Sequence, residues 1–103
     1  MKTFKNITWK KHGVIPNGLQ GILVLENKMM LSVVAGSGLY STPGGIGNDV
    51  EIDNPEDVNS FEVLVFDKTG NVLIEEGIDS PLGWQNKDDI NDLIVKLENK
   101  WKS

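Results

Sequence analysis

His12 is the one histidine of the chain and so the first candidate for acid–base work at neutral pH. It stands beside the turn Gly13-Val-Ile-Pro16-Asn-Gly18, with no carboxylate near it in sequence to orient the ring. Gly36-Ser37-Gly38 invites comparison with nucleophile and phosphate loops. The spacing fails G-x-S-x-G, because both glycines touch the serine. No Lys-Ser or Lys-Thr follows to make a phosphate loop, and Ser41 stands where a dinucleotide fingerprint needs its third glycine. Backbone freedom at a strand end is the simpler meaning. Asp49-x-Glu51-x-Asp53 has the spacing of the first ligands of a calcium loop. Asn54 then occupies the place of the required glycine, and Ser60 the place of the bidentate glutamate. Asn6-Ile7-Thr8 matches a glycosylation acceptor, but the N-terminal Met1–His12 has no apolar core or cleavage site of a secretory signal. Tyr40, Trp84 and Trp101 are of the residue types that dominate binding interfaces.

Composition narrows the classes further. All ten basic residues are lysine, and the net charge is -5. Arginine supplies the planar fork that grips phosphate and guanine, so its absence argues against nucleic acid as a partner. There is no cysteine, which removes thiol catalysis and thiolate metal sites and fits a reducing cytoplasm. No apolar run approaches a membrane span, and no metal or cofactor is expected. The charge is segregated: residues 1–47 carry five Lys and one Glu, whereas residues 48–92 carry thirteen acids and two Lys. An acidic middle suits a basic partner, although charge runs commonly serve only solubility.

The length fits one domain over residues 1–103. Ile90, Leu93, Ile94, Leu97 and Trp101 make one apolar stripe at helical spacing over Asn86–Trp101, with acids near its start and lysines near its end. Asn86 is the expected N-cap, with Asp89 three residues on. Gly21–Leu25 and Met29–Ala35 predict a hairpin turned by Glu26-Asn27-Lys28, apolar at both parities as in strands buried on both faces. Ser60–Glu76 predicts a second hairpin about Asp67-Lys-Thr-Gly70-Asn71. A lysine-blunted edge strand is expected near Thr3–Lys10. Gly36–Asn59 is a long irregular stretch, with a short strand expected around Val50–Ile52, and Gly77–Gln85 reads as a connection.

The sum is an α+β fold: an antiparallel sheet of about four to five strands from two hairpins, covered on one face by a single C-terminal helix. A helix of about 16 residues is about 24 Å long. It covers one face, and leaves the other to the Gly-rich stretch or to another chain.

Ser32-Val-Val-Ala-Gly-Ser-Gly-Leu-Tyr40-Ser, Ser60-Phe-Glu-Val-Leu-Val65 and Leu82-Gly-Trp-Gln, followed by a closing amphipathic helix, resemble small uncharacterised accessory proteins of tailed bacteriophages. The resemblance spans roughly residues 30–100. It implies no known activity, and suggests a protein made in the host cytoplasm that acts by binding. The expectation is therefore a non-enzymatic interaction module that binds a host protein or itself, as a homodimer. Its face would combine Tyr40, the acidic residues Asp49, Glu51 and Asp53, and Trp84. The alternatives are a small-ligand binder or enzyme using the Gly-rich loop 36–47, and a minor virion component.

Overall fold

The computed structural model describes residues 2–45, 50–75, 78–79 and 81–101. A 3-10 turn, Phe4–Asn6, precedes β1 (Thr8–Lys11), β2 (Leu19–Val24), β3 (Met30–Ser37) and β4 (Gly44–Gly45). A second 3-10 turn, Pro55–Asp57, leads to β5 (Phe61–Phe66), β6 (Ile74–Glu75), β7 (Ile78–Asp79), β8 (Leu82–Gln85) and α1 (Lys87–Lys100). The main sheet has the order β1-β2-β3-β5-β8, antiparallel throughout, with β4 joined in parallel beside the end of β3. β6 and β7 form a separate two-stranded ribbon.

The helix forms where its local signals lie. The Asp89 N–H donates to Asn86 Oδ1 at 2.8 Å, and the Asn86 N–H donates to Asp89 Oδ2 at 3.0 Å, a reciprocal cap. Ile90, Leu93, Ile94 and Leu97 are buried against the sheet, and Trp101 packs half-buried at the end of the stripe. On the sheet side the core is built from Leu19, Leu23, Leu31, Val33, Ala35, Phe61, Val63 and Val65. Phe4, Trp9 and Phe61 close one end as an aromatic cluster with centroids 5.3 to 5.7 Å apart. Gly21 makes that cluster possible: a Cβ there would stand 2.4 Å from Ile7 Cγ2 and 2.7 Å from the Trp9 ring.

The β2–β3 hairpin forms with the expected turn, in the register Leu19↔Ala35 to Val24↔Met30. Burial at both parities is found along β3 and not along β2. Leu31 to Gly36 are all buried, whereas β2 alternates between buried Leu19, Gly21 and Leu23 and more open Gln20, Ile22 and Val24. β3 is central, so side chains of β2 and β5 shield its second face; β2 has that help only from β3 and the short β1.

Further sequence expectations are corrected. The chain near Thr3–Lys10 begins as a 3-10 turn and becomes strand only at Thr8. Val50–Ile52 is not a strand: Ile52 is buried, and its N–H donates to the Asn17 carbonyl. The second hairpin is cut short. After the turn at Asp67–Asn71 the return chain bridges Phe66 through Val72, and the Leu73 N–H donates to the Val65 carbonyl. Ile74 and Glu75 pair instead with Asp79 and Ile78, as β6 with β7. β8 takes the place beside β5, pairing Val63↔Leu82 and Phe61↔Gln85, so residues read as a connection form an edge strand.

Candidate functional site

Tyr40 and Trp84 meet at the β8 edge of the sheet. Their ring centroids are 5.1 Å apart and their planes are inclined by 40°. The Trp84 N–H donates to the Tyr40 carbonyl at 2.8 Å. Both rings remain open to solvent, Tyr40 at 54% and Trp84 at 60% exposure. Trp84 lies at φ 51°, the left-handed region that a bulky residue rarely occupies. It sits at the register shift between β5 and β8. Gly83 beside it admits the approach: a Cβ there would stand 2.9 Å from Tyr40 Cβ.

The loop that carries Tyr40 is closed on itself. The Gly38 N–H donates to the Gly45 carbonyl and the Gly45 N–H to the Leu39 carbonyl. Ser41 is buried; its hydroxyl accepts from the Gly36 N–H at 3.1 Å and donates to the Pro43 carbonyl at 2.8 Å. Gly44 packs on it, with room for no side chain, since a Cβ would lie 2.4 Å from Ser41 Oγ. Thr42-Pro43 is a cis peptide, and Thr42 bridges to Ser60 at the start of β5. The Gly-rich segment is thus a braced support for the aromatic pair as far as Gly45, and residues 46–47 of the expected loop lie outside the described residues. Between loop and Trp84 is a cleft of about 310 Å³, lined by Gly38, Leu39, Tyr40, Ser41, Gly44, Gly45 and Trp84. It offers aromatic surface and backbone, and its one aliphatic hydroxyl is already engaged.

The acidic residues lie elsewhere. Lys11, at the end of β1, holds Asp53 at 2.8 Å and Glu51 at 3.5 Å, and donates to the Ile52 carbonyl at 2.7 Å. Hydrogen bonding to Asp53 raises the Lys11 pKa, and the same contact lowers that of Asp53. β1 and β8 are the two outer strands of the main order, so the acidic pair and the aromatic pair occupy opposite edges. The structure brings Tyr40 to Trp84 and does not bring Glu51 or Asp53 to either. Asp49 lies outside the described residues.

His12 serves its own turn. Its Nδ1 accepts from the N–H groups of Val14 and Ile15, both at 3.0 Å, and so shapes the backbone there. A larger cleft of about 430 Å³ lies near the start of α1, lined by residues that include Phe4, Trp9, Pro55, Glu56 and Lys87. The Lys87–Glu56 ion pair, at 3.1 Å, lies among its walls. No group of three His, Cys, Asp or Glu that could hold a metal occurs among the described residues. No helix among them is long and apolar enough to cross a membrane.

Sequence reading singled out Tyr40 and Trp84 by type and loop position; their contact and the Trp84 backbone had no local signal. It missed Asn27, whose side chain reaches the end of α1, and Gly21, whose missing side chain seats Trp9. Comparison with models of known families, with curated proteins and with solved structures returns no match, so the site's own chemistry is what bears on function.

Proposed function

We propose that this chain is a non-enzymatic interaction module that binds a protein through the Tyr40–Trp84 pair, in the manner of a phage accessory protein acting on a host protein. The observation that carries the reading is an exposed aromatic pair on a braced loop and a strained strand residue. Exposed aromatic area that is already ordered loses little conformational entropy on binding. Trp84 takes its left-handed backbone at the register shift of β8 against β5, beside Tyr40, and strain of this kind concentrates at functional positions.

The test is capture from a bacterial lysate with the tagged chain and with its Tyr40→Ala and Trp84→Ala variants. The expected result is a protein enriched by the parent chain and weakened roughly tenfold or more by either substitution, since a hot-spot truncation costs about 2 kcal/mol or more. Equal capture by all three would remove this site from consideration.

The 310 Å³ cleft favours a second reading, a small ligand held under the Gly-rich loop. That volume is at the small end of ligand sites. A compound at 100 times its dissociation constant would raise stability by about 2.7 kcal/mol, which a thermal-shift panel detects.

A further inference from the structure

The face of the sheet opposite α1 is built in rows that the strand registers define. Thr8, Ile22, Ser32 and Leu64 are aligned across β1, β2, β3 and β5. The next row outward is Val24, Met30 and Phe66, extended by Val72 through its bridge to Phe66. Val24 is 45% and Val72 44% exposed, and Ile22, Met30, Leu64 and Phe66 are half-buried. In the opposite direction lies the row Lys10, Gln20, Val34 and Glu62. Beyond it the Gly13–Gly18 turn folds over the face, with Ile15 Cγ2 3.1 Å from where a Gly36 Cβ would stand. An apolar field is therefore left open, with a lysine at one end of its polar border and a glutamate at the other. Among the described residues, neither Lys10 nor Glu62 takes part in an ion pair.

We propose that this face seats a second copy of the chain, related by a two-fold axis that runs parallel to the strands between β2 and β3. A two-fold interface must be complementary to itself. Rotation about that axis keeps each row at its own level and reverses its order across the strands. Lys10 then lies over Glu62 of the second copy, and Glu62 over its Lys10. Val24 meets Met30, and the Ile22–Leu64 row meets its own copy. The other in-plane axis, across the strands, would set the Lys10–Glu62 row against the Val24–Phe66 row and bury charge on apolar surface. Sheets packed face to face lie about 10 Å apart and are turned by about 30°, a gap that Lys and Glu side chains span together. A contiguous apolar field with a polar border is what such an interface requires. The dimer stands whether or not Tyr40 and Trp84 bind a partner.

Sedimentation equilibrium of the full chain, with Lys10→Glu, Glu62→Lys and the double reversal, tests it. The expected result is a parent dimer. Each single reversal sets like charges together twice, by symmetry, and weakens the dimer roughly tenfold or more; the double reversal restores it. Both positions are surface-facing, and far-ultraviolet circular dichroism verifies that the variants are folded. A parent chain that is monomeric at every concentration overturns the proposal and leaves the face to a partner of another sequence. A dimer unmoved by the single reversals, or one that the double reversal does not rescue, overturns it equally.

Discussion

The side chain of Asn27, in the β2–β3 turn, donates to the carbonyl of Leu97 at 3.1 Å, and so ties the first hairpin to the last turn of the C-terminal helix. The same amide donates to the Trp101 carbonyl at 2.7 Å. Its oxygen accepts from the Met29 N–H, and its backbone N–H donates to the buried Glu98 carboxyl. One residue thus closes a turn and caps the helix end, sharing the Leu97 carbonyl with the Trp101 N–H and supplying a donor to the Trp101 carbonyl. Asn27→Ala would keep the backbone bond to Glu98 but remove the amide's three bonds, to Leu97, Trp101 and Met29, at a cost of about 2 to 3 kcal/mol. A thermal melt should show a midpoint lower by about 10 °C or more for a domain of this size. Asn27→Asp should be no better, because a carboxylate cannot donate to the carbonyls and would face Glu98.

Gly21 is a core glycine with no room for a side chain. A methyl group there meets the Ile7 side chain at 2.4 Å and the Trp9 ring at 2.7 Å, so Gly21→Ala must displace one or both. Overpacking of this kind costs about 1 to 3 kcal/mol. The expected result is a lower denaturant midpoint, together with an altered near-ultraviolet signal, since Trp9 lies against Phe4 and Phe61.

What was legible in the chain was local. The helix carries its cap, its stripe and its charge order within one continuous segment, and the β2–β3 hairpin has both apolar runs on either side of its turn. β8 was not legible, because Leu82-Gly83-Trp84-Gln85 has turn-like residues and becomes a strand only by pairing with β5. Asn27 reads as a turn residue, and its bond to the helix depends on a segment 70 positions away. Tyr40 and Trp84 could each be marked as aromatic residues outside the regular core. Their contact depends on the cut-short second hairpin, which frees the β5 edge for β8, and no periodicity reports that.

Trp84 offers a way to separate stability from binding. At φ 51° glycine is unstrained, whereas alanine and tryptophan are not. Trp84→Gly should therefore be more stable than Trp84→Ala by about 1 kcal/mol, measured by denaturant unfolding. Both should lose the capture of a partner. If glycine conferred no advantage over alanine, strain at this residue would have no part in the account of the site.

The Lys11–Asp53 contact sets a pH signature. Asp53 is held below its ordinary 3.8 chiefly by the hydrogen bond from Lys11, so its contribution to stability is present above that pH and fades as pH falls below it. Lys11 is raised above its ordinary 10.5 chiefly by Asp53, so its contribution is present below 10.5 and fades as pH rises through the raised value. The stability difference between the parent chain and Lys11→Met should therefore be flat between about pH 5 and pH 9 and shrink at both extremes. Asp67 must not be confused with this effect. Its pKa is lowered mainly by the Thr69 hydroxyl, with help from the Asn71 N–H, and it destabilises the Asp67–Asn71 turn when protonated. It titrates alike in both proteins and cancels in the difference. Both partners of the contact are about half exposed or more, so the plateau should be small and should decline further in high salt. Thermal midpoints across pH, at two salt concentrations, measure this. A difference that kept its full size at acid pH would show that Lys11 acts through its bond to the Ile52 carbonyl and not through the carboxylates.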